Sequence, residues 1–169
     1  MAFYFGYGSN MSKRILKDVR SVHPSRSQSI TLKDYKIIMN MQGPNFVEPS
    51  FANIIPSKGD SVEGVLHEIT DIELKRIIAS EGTNYELIKI KVRFFNNDVI
   101  AKTLMYKTDI NSDLPTSKRY KKILIKAAKE NQLSESYVTE LKNKKSVYYP
   151  FLSEFFAVRV YLWVKSRAR

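Results

Sequence analysis

Phe3-Tyr4-Phe5-Gly6-Tyr7-Gly8-Ser9-Asn10-Met11 joins an apolar strand to a helix through a tight turn, and the rest of the chain is organised around it. Its first residues are aromatic and β-favouring, so the chain opens as a strand. Gly6 and Gly8 bracket Tyr7 and permit φ > 0, while Ser9 and Asn10 are residue types that cap a helix, here one suggested by Ile15, Leu16 and Val19. A strand passing into a helix through such a turn lets the backbone approach a ligand closely, and N–H groups at the helix start attract an anion. Taken alone, such a turn is more often structural than a binding loop.

Outward from this stretch, residues 12–20 read as a short amphipathic helix, 21–28 as a loop, and 30–41 as a strand alternating around Tyr35, Ile37 and Met39. Gly43-Pro44-Asn45 breaks that strand. Residues 51–56 read as a short strand ended by Pro56, Lys58-Gly59-Asp60 as a turn, and 61–69 as a clear strand. Thr70 or Asp71 caps a helix whose buried face is Ile72, Leu74, Ile77 and Ile78 and whose exit is Ser80-Glu81-Gly82. Residues 85–95 and 99–106 form a hairpin through Asn96-Asn97-Asp98. Thr116 or Ser117 starts a helix carrying Tyr120, Leu124 and Ala127, and Ser134 opens another with Tyr137, Val138 and Leu141. Residues 151–164 fit both a helical stripe and strand alternation, with strand favoured at the end. The sum is an α+β domain, and a mixed sheet closing toward a barrel is one way to bury its elements; one domain over 1–169 is expected, with 151–169 as an apolar and basic extension.

At 169 residues, with 43% hydrophobic and 27% charged side chains, the chain suits one globular domain. It has no cysteine, which excludes disulfides, thiolate metal sites and a Cys nucleophile. His23 precedes Pro24 in a polar loop and His67 sits in a strand beside Glu68, so neither is read as catalytic. The net charge is +11, and residues 142–169 hold seven Lys or Arg against Glu154 alone. That asymmetry suits an acidic surface or a membrane, but a solvated basic tail is the plainer reading. The run 151–164, interrupted by Arg159, falls short of the about 20 apolar residues that span a bilayer. The N-terminus lacks a signal-peptide pattern, and a cytoplasmic protein is expected.

Four stretches, in order, resemble the γ-glutamylcyclotransferase family. Tyr4-Phe5-Gly6-Tyr7-Gly8-Ser9-Asn10-Met11 is similar to the family's substrate loop, Y-F-x-Y-G-S-N, and Val62-Glu63-Gly64-Val65 to its V-x-G-V strand. Glu81-Gly82 followed by Tyr85 resembles its E-G…Y segment, and residues 115–141 its late helical pair. The resemblance covers residues 3–145. It departs in the shorter spacing from Glu81-Gly82 to Tyr85 and in the tail 151–169. The resemblance implies a small mixed β-barrel flanked by helices with the site at one barrel opening. It also implies a γ-glutamyl small-molecule substrate and no cofactor or metal. No nucleic-acid partner is expected, membrane contact through the tail is not favoured, and a monomer or homodimer is implied.

The implied reaction is attack of a γ-glutamyl α-amine on its own γ-carbonyl, releasing 5-oxoproline and an amine. A related donor, a γ-glutamylamine or glutathione, is the alternative within the superfamily; outside it stands an idle barrel that binds an anionic membrane or nucleic acid. Such chemistry needs a carboxylate to take and return a proton, and the resemblance gives that role to Glu81. Read by itself, Glu81 is a solvated carboxylate at a helix C-terminus; partial burial there would raise its proton affinity. Tyr7, Gly8, Ser9 and Asn10 are expected to supply donors to the substrate, and Tyr85, Tyr106 and Tyr120 to line or gate the pocket.

Overall fold

The first strand is apolar on both faces because it is covered on both. In the computed structural model, which describes residues 1–44, 47–81 and 84–148 with Trp163 and Ser166, β1 (Ala2–Gly6) lies inside a five-stranded mixed sheet. Phe5 and Tyr7 join one core cluster, and Ala2 and Tyr4 join a second. The second cluster is completed by Leu16 of α1 (Lys13–Arg20) and by Leu74 and Ile77 of α2 (Asp71–Glu81). The first is completed by Leu124 and Ala127 of α3 (Lys118–Glu130) and by Tyr137, Val138 and Leu141 of α4 (Glu135–Asn143). Burying each such side chain is worth about 1.5–3 kcal/mol before ordering costs, so the period-2 division of β1 sets where both helix pairs dock.

The strands are ordered β2 (Arg26–Gln42), β3 (Ser50–Ile69), β1, β5 (Asn97–Tyr106), β4 (Tyr85–Phe94). β1 pairs antiparallel with β3 and parallel with β5. The α+β architecture, a sheet flanked by helices, is therefore as expected, while the five-stranded ladder remains open rather than closing into a full ring. A short parallel pair, β6 (Thr116–Ser117) with β7 (Ser146–Val147), ties the start of α3 to the chain after α4, and nothing in those two-residue segments signalled it.

Several local expectations are corrected. Residues 51–56 and 61–69 are one strand, not two: Pro56 is tolerated because the β2–β3 register shifts beside its partner Tyr35. At that irregularity Asp34 takes φ 62° and accepts from Gly59 N–H at 2.9 Å, so the expected turn survives as an outward bulge of β3. Strand β2 starts at Arg26, within the expected loop, held by the Arg26 pairing with Glu68. Ile72 is exposed; Glu73 takes the inner position instead, accepting from the backbone of Thr70 and of His23 in a capping box. The hairpin turns on Phe95 and Asn96, both at positive φ, which is the two-residue geometry matched to strand twist. Ser117 and Ser134 cap α3 and α4 as read from the sequence. Apart from Trp163, the run 151–164 lies outside the described residues.

Candidate active site

The turn after β1 is tighter than its glycines suggested, and for a different reason. Gly8 has φ −104°, and among the described glycines only Gly59 has positive φ. What Gly6 provides is room: a Cβ there would stand 2.9 Å from the backbone C and O of Asn10. The chain folds back on itself through a 3-10 turn, Ser9–Met11, and Ser12, not Ser9 or Asn10, caps α1 by accepting from Ile15 N–H. Strand β5 pins the turn from the other side: Thr103 donates to Phe5 O at 2.8 Å and Tyr7 OH to Leu104 O at 2.6 Å.

His67 holds the turn from beneath. Its Nε2 lies 3.0 Å from Asn10 O, an atom that can only accept, so Nε2 carries the proton and Nδ1 accepts from Ser27 Oγ at 2.9 Å. Burial pushes the imidazole down to about 4, against the pull of the Asn10 bond. Because the folded protein binds this proton more weakly than the unfolded chain, the neutral ring's contribution is complete above the ordinary value and is lost as pH falls through about 6.5 toward about 4. Stability measured by urea unfolding is expected to fall by about 2 kcal/mol between pH 7.5 and pH 5 on this account. His67→Gln should flatten that decline; an unchanged slope in the variant would assign it to other groups.

Over the turn opens a pocket of about 320 Å³, mouth included, lined by Tyr4, Tyr7, Gly8, Ser9, Asn10, Ala52, Glu81, Tyr85, Leu104 and Tyr120. Seven residues singled out from the sequence therefore meet: Tyr7, Gly8, Ser9, Asn10, Glu81, Tyr85 and Tyr120. Tyr106 stands behind the wall, its ring edge-on to Tyr85 at 5.6 Å between centroids. Glu81 ends α2 and has a side chain 16% exposed. It accepts from Asn10 Nδ2 at 2.9 Å and is ion-paired with Arg20 at 2.5 Å, a partner that no local pattern in the sequence marks. Asn10 Nδ2 also lies 2.9 Å from Tyr4 OH.

Burial, reinforced by the Glu81 charge, pushes the phenols of Tyr4, Tyr7, Tyr85 and Tyr120 up, so all four are protonated. Tyr120 OH accepts from Ala52 N–H at 3.3 Å, which leaves its own proton for an acceptor in the pocket. Phe51 packs edge-on against the Tyr120 ring at 5.0 Å. Tyr4, Ala52, Leu104 and Arg20 were not expected at the site. For Tyr4 the signal was present, since it stands one face of β1 away from Phe5, but Ala52 and Leu104 are ordinary strand residues that carry no mark. Among the described residues no three carboxylates or imidazoles converge to hold a metal ion.

Human γ-glutamylcyclotransferase is 31% identical over 147 residues, spanning 82% of this chain and 76% of the human protein. The chain belongs to the γ-glutamylcyclotransferase family. The profile of the AIG2-like family matches residues 61–141 of this family member, a span that includes Glu81, Tyr85, Tyr106 and Tyr120 but not the opening turn. The γ-glutamyl cyclotransferase gliK of Claviceps purpurea is 26% identical over 172 residues, covering 94% of this chain and 77% of that protein. A solved γ-glutamyl cyclotransferase structure superposes with a TM-score of 0.74 at 26% identity, covering 94% of this chain and 97% of the other. This cyclotransferase-family chain thus shares the fold of that structure. No described helix is long and apolar enough to cross a membrane.

Proposed function

We propose that this protein is a γ-glutamylcyclotransferase that uses Glu81 as its general acid and base. The observation carrying this reading is the meeting of Glu81 with the Tyr7-Gly8-Ser9-Asn10 turn, 71 positions away at Asn10, in one pocket. The substrate's α-amine attacks its γ-carbonyl carbon, forming the ring C–N bond. Glu81 takes the amine's proton and returns one to the departing nitrogen as the γ-amide bond breaks, leaving 5-oxoproline and a free amine. Backbone donors of the turn and the Tyr120 hydroxyl stabilise the substrate's negative oxygens, each well-aimed donor contributing about 3 kcal/mol. Holding the amine against the carbonyl contributes about 7 kcal/mol or more, so the folded pose imposed by Tyr4, Tyr85 and Leu104 lowers the barrier further than any single donor does.

The test is 5-oxoproline release, read by mass spectrometry, from a panel of γ-glutamyl amino acids, γ-glutamylamines and glutathione. Release from at least one class is expected; none from any would overturn the reading. A second arm uses Gly8→Val, since a Cβ at Gly8 would stand 3.2 Å from Tyr120 OH and 3.8 Å from Ala52 Cβ, inside the pocket. KM is expected to rise roughly tenfold, about 1.4 kcal/mol, with circular dichroism unchanged. A wild-type KM in that variant would remove the turn from the substrate's site.

A further inference from the structure

We propose that Arg20 is the positioning residue for Glu81, its guanidinium gripping the end of α2 so that the carboxylate is held toward the pocket. The inference rests on the cyclotransferase reading and extends it to a residue that does not line the pocket. Arg20 closes α1 and is 5% exposed, where a helix-terminal arginine would ordinarily reach into water. One arm, Nη2, lies 2.5 Å from Glu81 Oε1, and the other, Nη1, contacts Ser80 Oγ. The Ser80 hydroxyl donates its own proton to Ile77 O at 2.8 Å, so its oxygen is the acceptor for Nη1. The guanidinium fork therefore spans two consecutive side chains.

This place in a helix needs such a grip. Unpaired carbonyls make the C-terminal turn of α2 negative, which disfavours a carboxylate there and favours a cation. Arg20 supplies that cation. Asn10 Nδ2 donates to the same Oε1 at 2.9 Å, so both contacts restrain one oxygen and leave Oε2 as the atom for proton transfer. The two helices are tied in the reverse direction as well, since Arg76 of α2 donates to Ser21 O at 3.0 Å just after Arg20. A buried ion pair is a poor device for stability alone, because desolvation offsets most of its attraction. Its placement on the pocket carboxylate points to orientation instead.

The experiment is a double-mutant cycle on 5-oxoproline release, with Arg20→Met, Arg20→Lys, Glu81→Gln and the two combinations. Arg20→Met is expected to lower kcat about tenfold or more with KM within about twofold. Arg20→Lys keeps the charge but has no fork to span Ser80 and Glu81, so it should lie between wild type and Arg20→Met. On the Glu81→Gln background either change should cost less than about twofold, because the group through which Arg20 acts is already gone. Equal losses on both backgrounds, or an Arg20→Lys rate within about twofold of wild type, would overturn the inference. Should Arg20→Met fail to fold, Arg20→Lys carries the same cycle. A wild-type protein without turnover on the whole panel would instead overturn the cyclotransferase reading, and this inference with it; turnover with an additive cycle sinks the inference alone.

Discussion

Glu81→Gln is expected to lower kcat about a hundredfold or more while KM changes little, because the substitution keeps the side chain's shape and removes its proton acceptor. The structure adds a consequence for stability. Arg20 would be left buried against a neutral amide, which still offers Oε1 to Arg20 and to Asn10 but no charge. Removing one partner of a wholly buried pair costs about 3–5 kcal/mol, and the surviving hydrogen bonds and partial exposure should reduce that to about 2 kcal/mol. Turnover and thermal melting measured on the same preparation separate the two effects. A variant that kept more than about a tenth of the wild-type kcat would exclude Glu81 as general base, whatever its melting temperature.

Gly64→Ala is expected to cost more stability than Glu81→Gln does. A Cβ at this position of β3 would stand 2.5 Å from Gly6 O and 2.7 Å from Cε2 and Cζ of Phe5. Phe5 is fully buried, and Gly6 opens the pocket turn, so neither neighbour has an easy direction in which to yield. Such overpacking costs about 3 kcal/mol, which at this chain length lowers Tm by about 10 °C. The same displacement would pass through Gly6 to Tyr7 and Gly8, so turnover should fall with stability. Gly59→Ala is the contrast: nothing lies within 4 Å of its Cβ, and only the strain of φ 88° remains, worth about 1 kcal/mol. Calorimetry that ranked Gly59→Ala as the more harmful would refute the close-approach account of Gly64.

Element type was legible wherever a local signal settled it. The aromatic run of β1, the serines capping α3 and α4, and the alternation on either side of Asn96 each state their conformation within a few residues, since propensity, capping and period are properties of neighbours in sequence. The ordered motifs likewise brought Glu81 and the Tyr7-to-Asn10 turn forward together. Register, partners and burial were decided by tertiary structure. Pro56 sits within a long strand because a shifted ladder spares its missing N–H, and Ile72 gives up the inner face to Glu73 because His23 and Thr70 supply that carboxylate with donors. Tyr106 and Tyr85 look alike in the sequence, yet only Tyr85 reaches the pocket, with Tyr106 packed behind it. Arg20 looked like an ordinary basic residue at a helix end, because nothing in residues 12–20 records that the helix carrying Glu81 would end against it. Sequence physics thus determined which residue types could perform acid–base chemistry in a tight turn; which of them share one small volume is a matter of long-range packing, and no local pattern encodes it.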